Sequence, residues 1–140
     1  MKLLNTNITI ASVESFTGGS FSAKVVSKPG ASKYFKGALV TYWNEIKEKF
    51  NIDTKNGVVN EEVARVMAME GKKFFQVDYC FAFTGNAGPS VLDNKDPGLI
   101  YIAINEQVFE FKLYLERNEI IKFAVDFAYD KLLKLLKKNM

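Results

Sequence analysis

The spacing of apolar and polar positions changes several times along the chain, and each change predicts an element. "NITIASV" (residues 7–13) alternates over a short stretch and predicts a strand. "ESFTGGSFSAKVVSK" then turns into a helix that Pro29 ends, with Phe21, Val25 and Val26 as its apolar stripe. "GALVTYW" (residues 37–43) is a continuous apolar run, the pattern of a strand buried on both faces. Asn44 is placed to cap the helix that follows, where Ile46 and Phe50 share a face. A longer helix opens at Asn60, with Glu61 and Glu62 in its first turn and Val63, Val66, Met67 and Phe74 as its stripe.

"VDYCFAFTG" (77–85) predicts a third strand. "GLIYIAI" and "VFEFKLYL", split by Asn105 and Glu106, predict a hairpin. In its second arm Phe109, Phe111, Leu113 and Leu115 alternate with Glu110 and Lys112, so one face is buried. A helix from about Asn118 to Lys138 closes the chain, striped by Ile121, Ala124, Val125, Ala128, Leu132, Leu135 and Leu136. Strands alternating with helices, followed by an antiparallel hairpin, predict one α/β domain over residues 1–140. Its architecture is a three-layer α/β/α sandwich on a mixed sheet of about five strands. Ligands of such sheets bind beyond the carboxyl ends of the strands. Three predicted strands end in Ser15 and Thr17, in Tyr42, and in Thr84 and Gly85.

Composition narrows the chemistry. The chain has 140 residues, 48% of them apolar, and a net charge of +3 from 19 basic and 16 acidic side chains. That balance is too mild and too scattered to predict binding to nucleic acid or to an anionic membrane. Without an apolar run near ~20 residues or a signal peptide, a cytoplasmic protein is expected. Histidine is absent and Cys80 is the single cysteine. Ser-His-Asp and Cys-His triads and multi-cysteine zinc sites are thereby excluded, and no metal or cofactor is expected. Proton transfer falls to Lys, Tyr, Asp or Glu, and the nucleophile to Ser or Thr, since Cys80 sits in an apolar run.

Each candidate also has an ordinary structural reading. Gly18 and Gly19 in "SFTGGS" would let backbone N–H groups approach an anion, or Ser15 or Thr17 would simply cap a helix. "TGNAGPS" is a second small-residue loop, or a tight turn. Ser32 has the position of an N-cap, Tyr42 of a polar-tipped strand end, and Arg117 of a partner for Glu116 or Glu119. Lys47 stands in the predicted first turn of its helix, where the macrodipole disfavours a cation. Together Ser, Tyr and Lys on consecutive elements form the inventory of a Ser–Lys hydrolase.

The same segments carry a resemblance. "ESFTGG", "PGAS", "VTYWNEIK", "GVVNEEVARVMAMEG", "TGNAGP", "PGLIYIAI" and "LERNEI" resemble, in order, motifs of the CinA C-terminal domain family. Its characterised members are nicotinamide-nucleotide amidases. The resemblance implies hydrolysis of the carboxamide of nicotinamide mononucleotide to nicotinate mononucleotide and ammonia, without a metal. It implies Ser32 as nucleophile, Lys47 as base and Tyr42 as their helper, with Ser15, Thr84 and Arg117 serving the substrate. Desolvation and the positive helix end would together bring Lys47 below the ~10.4 of a free lysine.

The departures from the family are Phe16 in a Cys place, "SVLDNKD" in place of Asp-Gly-Gly, Ile121 in place of a second Arg, and a missing leading helix. The altered 90–96 loop leaves an alternative open, an inactive nucleotide-binding or regulatory protein. Ile120, Phe123 and Phe127 beside the last helix's stripe predict a homodimer.

Overall fold

The computed structural model describes residues 7–139. The expectation about a leading helix concerns residues that lie outside them. Five strands form one sheet: β1 (Ile10–Glu14), β2 (Phe35–Val40), β3 (Tyr79–Gly85), β4 (Leu99–Ile104) and β5 (Gln107–Lys112). Their order is β2-β1-β3-β4-β5. β1 runs parallel to β2 and β3, while β4 is antiparallel to β3 and to β5. The four α-helices are α1 (Ser20–Val26), α2 (Asn44–Lys49), α3 (Glu61–Phe75) and α4 (Arg117–Lys138). The expected mixed three-layer sandwich is the one observed.

Side-chain alternation sorts the two cores. On one face Ile10, Phe81, Phe83, Ile100 and Ile102 meet Phe21 and Val25 of α1 and Ile120, Ala124, Ala128 and Leu132 of α4. The Phe21 ring lies 5.1 Å from both the Phe81 and the Phe83 ring. On the other face Ala11, Val13, Cys80, Ala82 and Ala103 meet Val63, Ala64, Met67 and Ala68 of α3. The small residues of this face let α3 lie close. At Gly71 an added Cβ would stand 2.5 Å from both Cys80 Sγ and Val13 Cγ2. Cys80 is fully buried, and burial pushes its thiol up to about 12. It has the properties of a packing residue.

Several expectations are corrected here. β2 is shorter than the apolar run that predicted it and forms a sheet edge, with no residue fully buried. Tyr42 and Trp43 lie beyond it, exposed. Trp43, not Asn44, takes the N-cap position of α2. β5 ends at Lys112, so Leu113 and Leu115 fall in the connection to α4. α4 opens one residue earlier than expected, through a capping box between Glu116 and Glu119.

The apolar residues that predicted a homodimer pack against the sheet, with Phe123 and Phe127 left half-buried. Ile120 is fully buried, and Phe123 and Phe127 pack their rings 4.8–5.1 Å from Phe109 and Phe111 of β5.

The close approach at Gly71 has a measurable consequence. Gly71→Ala should cost roughly 1–3 kcal/mol in urea denaturation despite alanine's better helix propensity, because the added methyl overpacks a core with no slack. In a Cys80→Ala background the cost should shrink. Equal costs in both backgrounds would show that Cys80 is not what the methyl meets.

Candidate functional site

Beyond the carboxyl end of β1 the chain does not enter α1 directly. Ser15 to Gly19 make a turn, and the carboxylate of Glu14, fully buried, sits inside it. Glu14 Oε1 accepts from the Thr17 hydroxyl at 2.7 Å and from the Gly19 and Phe21 amides at 3.1 Å each. Oε2 accepts from the Ser22 amide at 2.9 Å and from the Ser22 hydroxyl. The glycine turn therefore does bind an anion, but that anion is the chain's own side chain. Gly18 and Gly19, with φ of 59° and 97°, supply the left-handed backbone that wraps it. Thr17, Gly18 and Gly19 are structural in this arrangement and do not line the cavity that follows.

The wrapped carboxylate fixes Ser15, whose amide donates to the Phe83 carbonyl. One strand over, the Thr41 amide donates to the Glu14 carbonyl, so Ser15 and Thr41 stand side by side at the sheet's carboxyl edge. α2 then folds back and delivers Lys47 to the same place. Lys47 is 1% exposed. Its Nζ lies 2.6 Å from the Thr41 carbonyl, 3.1 Å from the Tyr42 carbonyl and 2.8 Å from Ser15 Oγ. The three oxygens accept from the three N–H bonds of the ammonium. Once the amine has lost its proton, the two carbonyls, which can only accept, take its two N–H bonds and leave its lone pair for the Ser15 hydroxyl.

Burial brings the lysine down to about 8, partly opposed by the charge of Asp93. The helix end contributes less than its sequence position suggested. α2 has six residues, and Lys47 belongs to its last turn.

Ser32 does not meet Lys47. It lies in a single 3₁₀ turn, Ala31–Lys33, at the amino end of β2, whereas Lys47 follows the carboxyl end. Six extended residues, roughly 20 Å, separate the two ends. Ser32 is exposed and lines a shallow surface hollow with Lys28, Pro29 and Lys36. The serine within reach of the lysine is Ser15.

Ser15, Lys47, Tyr42, Trp43, Gly85, Asn86, Leu92 and Arg117 line a cavity of about 290 Å³. Gly85 allows β3 to turn away beside β4, since a Cβ there would stand 2.6 Å from Ile100 Cα. Thr84 is elsewhere, with its buried hydroxyl donating to the Val58 carbonyl at 2.7 Å. Arg117 reaches the cavity rim, donating to the Gly88 carbonyl at 2.5 Å and to the Tyr42 phenol at 3.1 Å. The phenol thus pairs with Arg117, and it is Tyr42's main-chain carbonyl that touches Lys47. Among the described residues no cluster of three His, Cys, Asp or Glu side chains is placed to hold a metal, and no helix is long and apolar enough to cross a membrane.

Glu14 and Asp93 were not among the candidates read from the sequence. Glu14 had one signal, a carboxylate closing an apolar strand just before a Thr-Gly-Gly turn.

Comparison with known proteins agrees with this architecture. The sequence model of the CinA C-terminal domain matches residues 1–136. A CinA-like protein of Petrotoga mobilis is 40% identical over 148 residues, which is 98% of this chain and 36% of the relative. The chain spans about a third of the length of the curated relatives it matches. Among solved structures, a CinA superfamily protein from Klebsiella pneumoniae superposes with a TM-score of 0.85 at 20% identity, covering 94% of this chain and 88% of that one. A competence/damage inducible protein from Agrobacterium tumefaciens does so at 0.81 and 26% identity, over 91% and 85%.

Lys47's burial makes stability depend on pH in a definite direction. Below about 8 the lysine is protonated whether folded or unfolded, and its desolvation cost is constant. Between about 8 and ~10.5 the unfolded chain holds the extra proton, so stability rises with pH. Relative to Lys47→Met, the wild type should gain up to about 1.4 kcal/mol per pH unit across that window. Parallel stability curves would mean that Lys47 titrates like an exposed lysine.

Proposed function

Because the chain belongs to the CinA C-terminal domain family, we propose that it is an amidase with Ser15 as nucleophile and Lys47 as base. The observation that carries this reading is the buried Lys47 Nζ, 2.8 Å from Ser15 Oγ and held by two carbonyls that would orient its lone pair toward that hydroxyl once the proton is lost.

The substrate class is the carboxamide of a nicotinamide nucleotide, as the family resemblance implies. Ser15 Oγ bonds to the carboxamide carbon while its proton passes to Lys47 Nζ. The C–N bond then breaks, and Lys47 returns that proton to the departing ammonia. Water adds to the resulting ester with Lys47 again taking the proton, the C–O bond to Ser15 breaks, and the proton restores the serine hydroxyl. The products are ammonia and nicotinate mononucleotide. At pH 7–8 a lysine near 8 has an appreciable neutral fraction, where an ordinary lysine near ~10.4 would have almost none.

The cavity, about 290 Å³, is at the lower end of the ~300–1,000 Å³ range of small-molecule sites. It suits the amide-bearing ring, with the remainder of the nucleotide extending to Arg117 at the rim. A planar guanidinium already oriented by Gly88 and Tyr42 suits a phosphate better than a flexible ammonium does.

Ammonia release from nicotinamide mononucleotide tests the chemistry. Ser15→Ala should abolish turnover, and Lys47→Ala should lower it by ~10²–10⁴-fold, with the two losses not adding. Ser32→Ala should turn over at the wild-type rate. Wild-type activity should climb with pH through about 8 as the ammonium loses its proton. A folded Ser15→Ala protein that keeps its activity would end this mechanism.

Anchoring is tested separately. Arg117→Lys should raise KM more than it lowers kcat, because a remote phosphate is held about equally in ground and transition states. An unchanged KM would leave Arg117 a structural link between Tyr42 and the 88–89 turn.

A further inference from the structure

Residues 90–96, where the chain departs most from its family's pattern, fold into a small hairpin beside the cavity. Leu92 and Lys95 exchange both backbone hydrogen bonds, at 3.3 and 2.8 Å. Asp93 and Asn94 between them take φ of 55° and 59°, the positive pair that a type I′ turn requires and that Asp and Asn tolerate. At its base the Asn86 amide donates to the Ser90 and Lys95 carbonyls.

The tip is docked by one side chain. Asp93 Oδ2 accepts from the Val58 amide at 2.7 Å and from the Val59 amide at 3.1 Å. Gly57 makes room for it, since a Cβ there would stand 2.9 Å from the Asp93 carboxylate. Docking brings Leu92 into the cavity wall, opposite Val58.

The structure assigns Asp93 as a positioning residue of this site: it latches the hairpin that walls the cavity with Leu92, and so holds a carboxylate beside the cavity that Lys47 lines. The kinetic consequence rests on the amidase reading, but the latch does not. The charge argument is specific because the other groups around Lys47 are accounted for. Tyr42 and Arg117 share its cavity and are bonded to each other. Glu14 is enclosed by the turn after β1. On its own helix Glu45, Glu48 and Lys49 are exposed, with Glu48 accepting from Thr54. Asp93 is the acidic group whose field reaches the amine, and it favours the ammonium.

The full chain with Asp93→Asn, which keeps the turn and an acceptor but loses the charge, separates this role from a merely structural one. NMR titration of the Lys47 amine, assigned with Lys47→Met, should show its midpoint falling by about half a pH unit or more. The same measurement on Asp96→Asn, an exposed carboxylate paired with Lys112, should show none. In Asp93→Ala the Val58 and Val59 amides should exchange with solvent roughly tenfold faster or more, as donors that lose a charged acceptor. If that variant does not fold, Gly57→Ala displaces the carboxylate without neutralising it, and the same two amides report.

A Lys47 midpoint unchanged in Asp93→Asn, or wild-type exchange at Val58 and Val59 once the carboxylate is displaced, overturns the assignment. A wild-type protein that releases no ammonia from the nucleotide would defeat the amidase reading and leave both of these measurements to judge Asp93 by themselves.

Discussion

The buried carboxylate of Glu14 organises the functional end of the domain. An ionised side chain taken out of water is costly unless its lone pairs are met, and here three hydroxyls and three amides meet them. In satisfying the charge, the turn from Ser15 to Gly19 has little freedom left. The amides that α1 leaves without intrahelical partners are paired at the same stroke. Ser15, one residue past the carboxylate, inherits a fixed position. Lys47 then finds a hydroxyl at a defined distance instead of a mobile loop.

Lys47 is the converse case, a potential charge buried among groups that cannot stabilise it fully. Two main-chain carbonyls solvate the amine but bring no full charge. Asp93 contributes at longer range from a separate segment. Burial wins over that field, so the lysine is brought down and not up. The neighbouring carboxylate closest in sequence to Ser15 is already enclosed by its own turn, and this keeps it from neutralising the lysine's shift by direct pairing.

Much of the fold was legible because it depends on local periodicity. The strand "VDYCFAFTG" and the helix over 61–75 follow from alternation, apolar stripes and the Asn60 cap, and Asn60 does accept from the Val63 amide. The edge position of β2 was not legible, since an apolar run does not say which of its faces is covered. Ser32 and Lys47 were expected together and lie apart for a topological reason. β1 and β2 are parallel, so a residue just before β2 lies at the edge opposite to one just after β1. Ser32 and Ser15 both flank strands, and only the strand direction separates them. Lys47, Arg117 and Gly85 do line one cavity, because each follows or adjoins the carboxyl edge. Glu14 and Asp93 escaped because their roles lie in backbone amides, which have no letter in a sequence.

Lys47 and Ser15 are 32 residues apart, and both belong to the first third of the chain. Arg117 and the hairpin at 90–96 arrive from much later in the chain, 75 residues beyond Tyr42 in the case of Arg117. The buried Ser15–Lys47 contact and part of the cavity's wall and rim thus come from segments far apart in the sequence. A change in the later segment that keeps the Asp93 carboxylate docked on the Val58 and Val59 amides can therefore reshape the cavity's opening without displacing the contact at its floor.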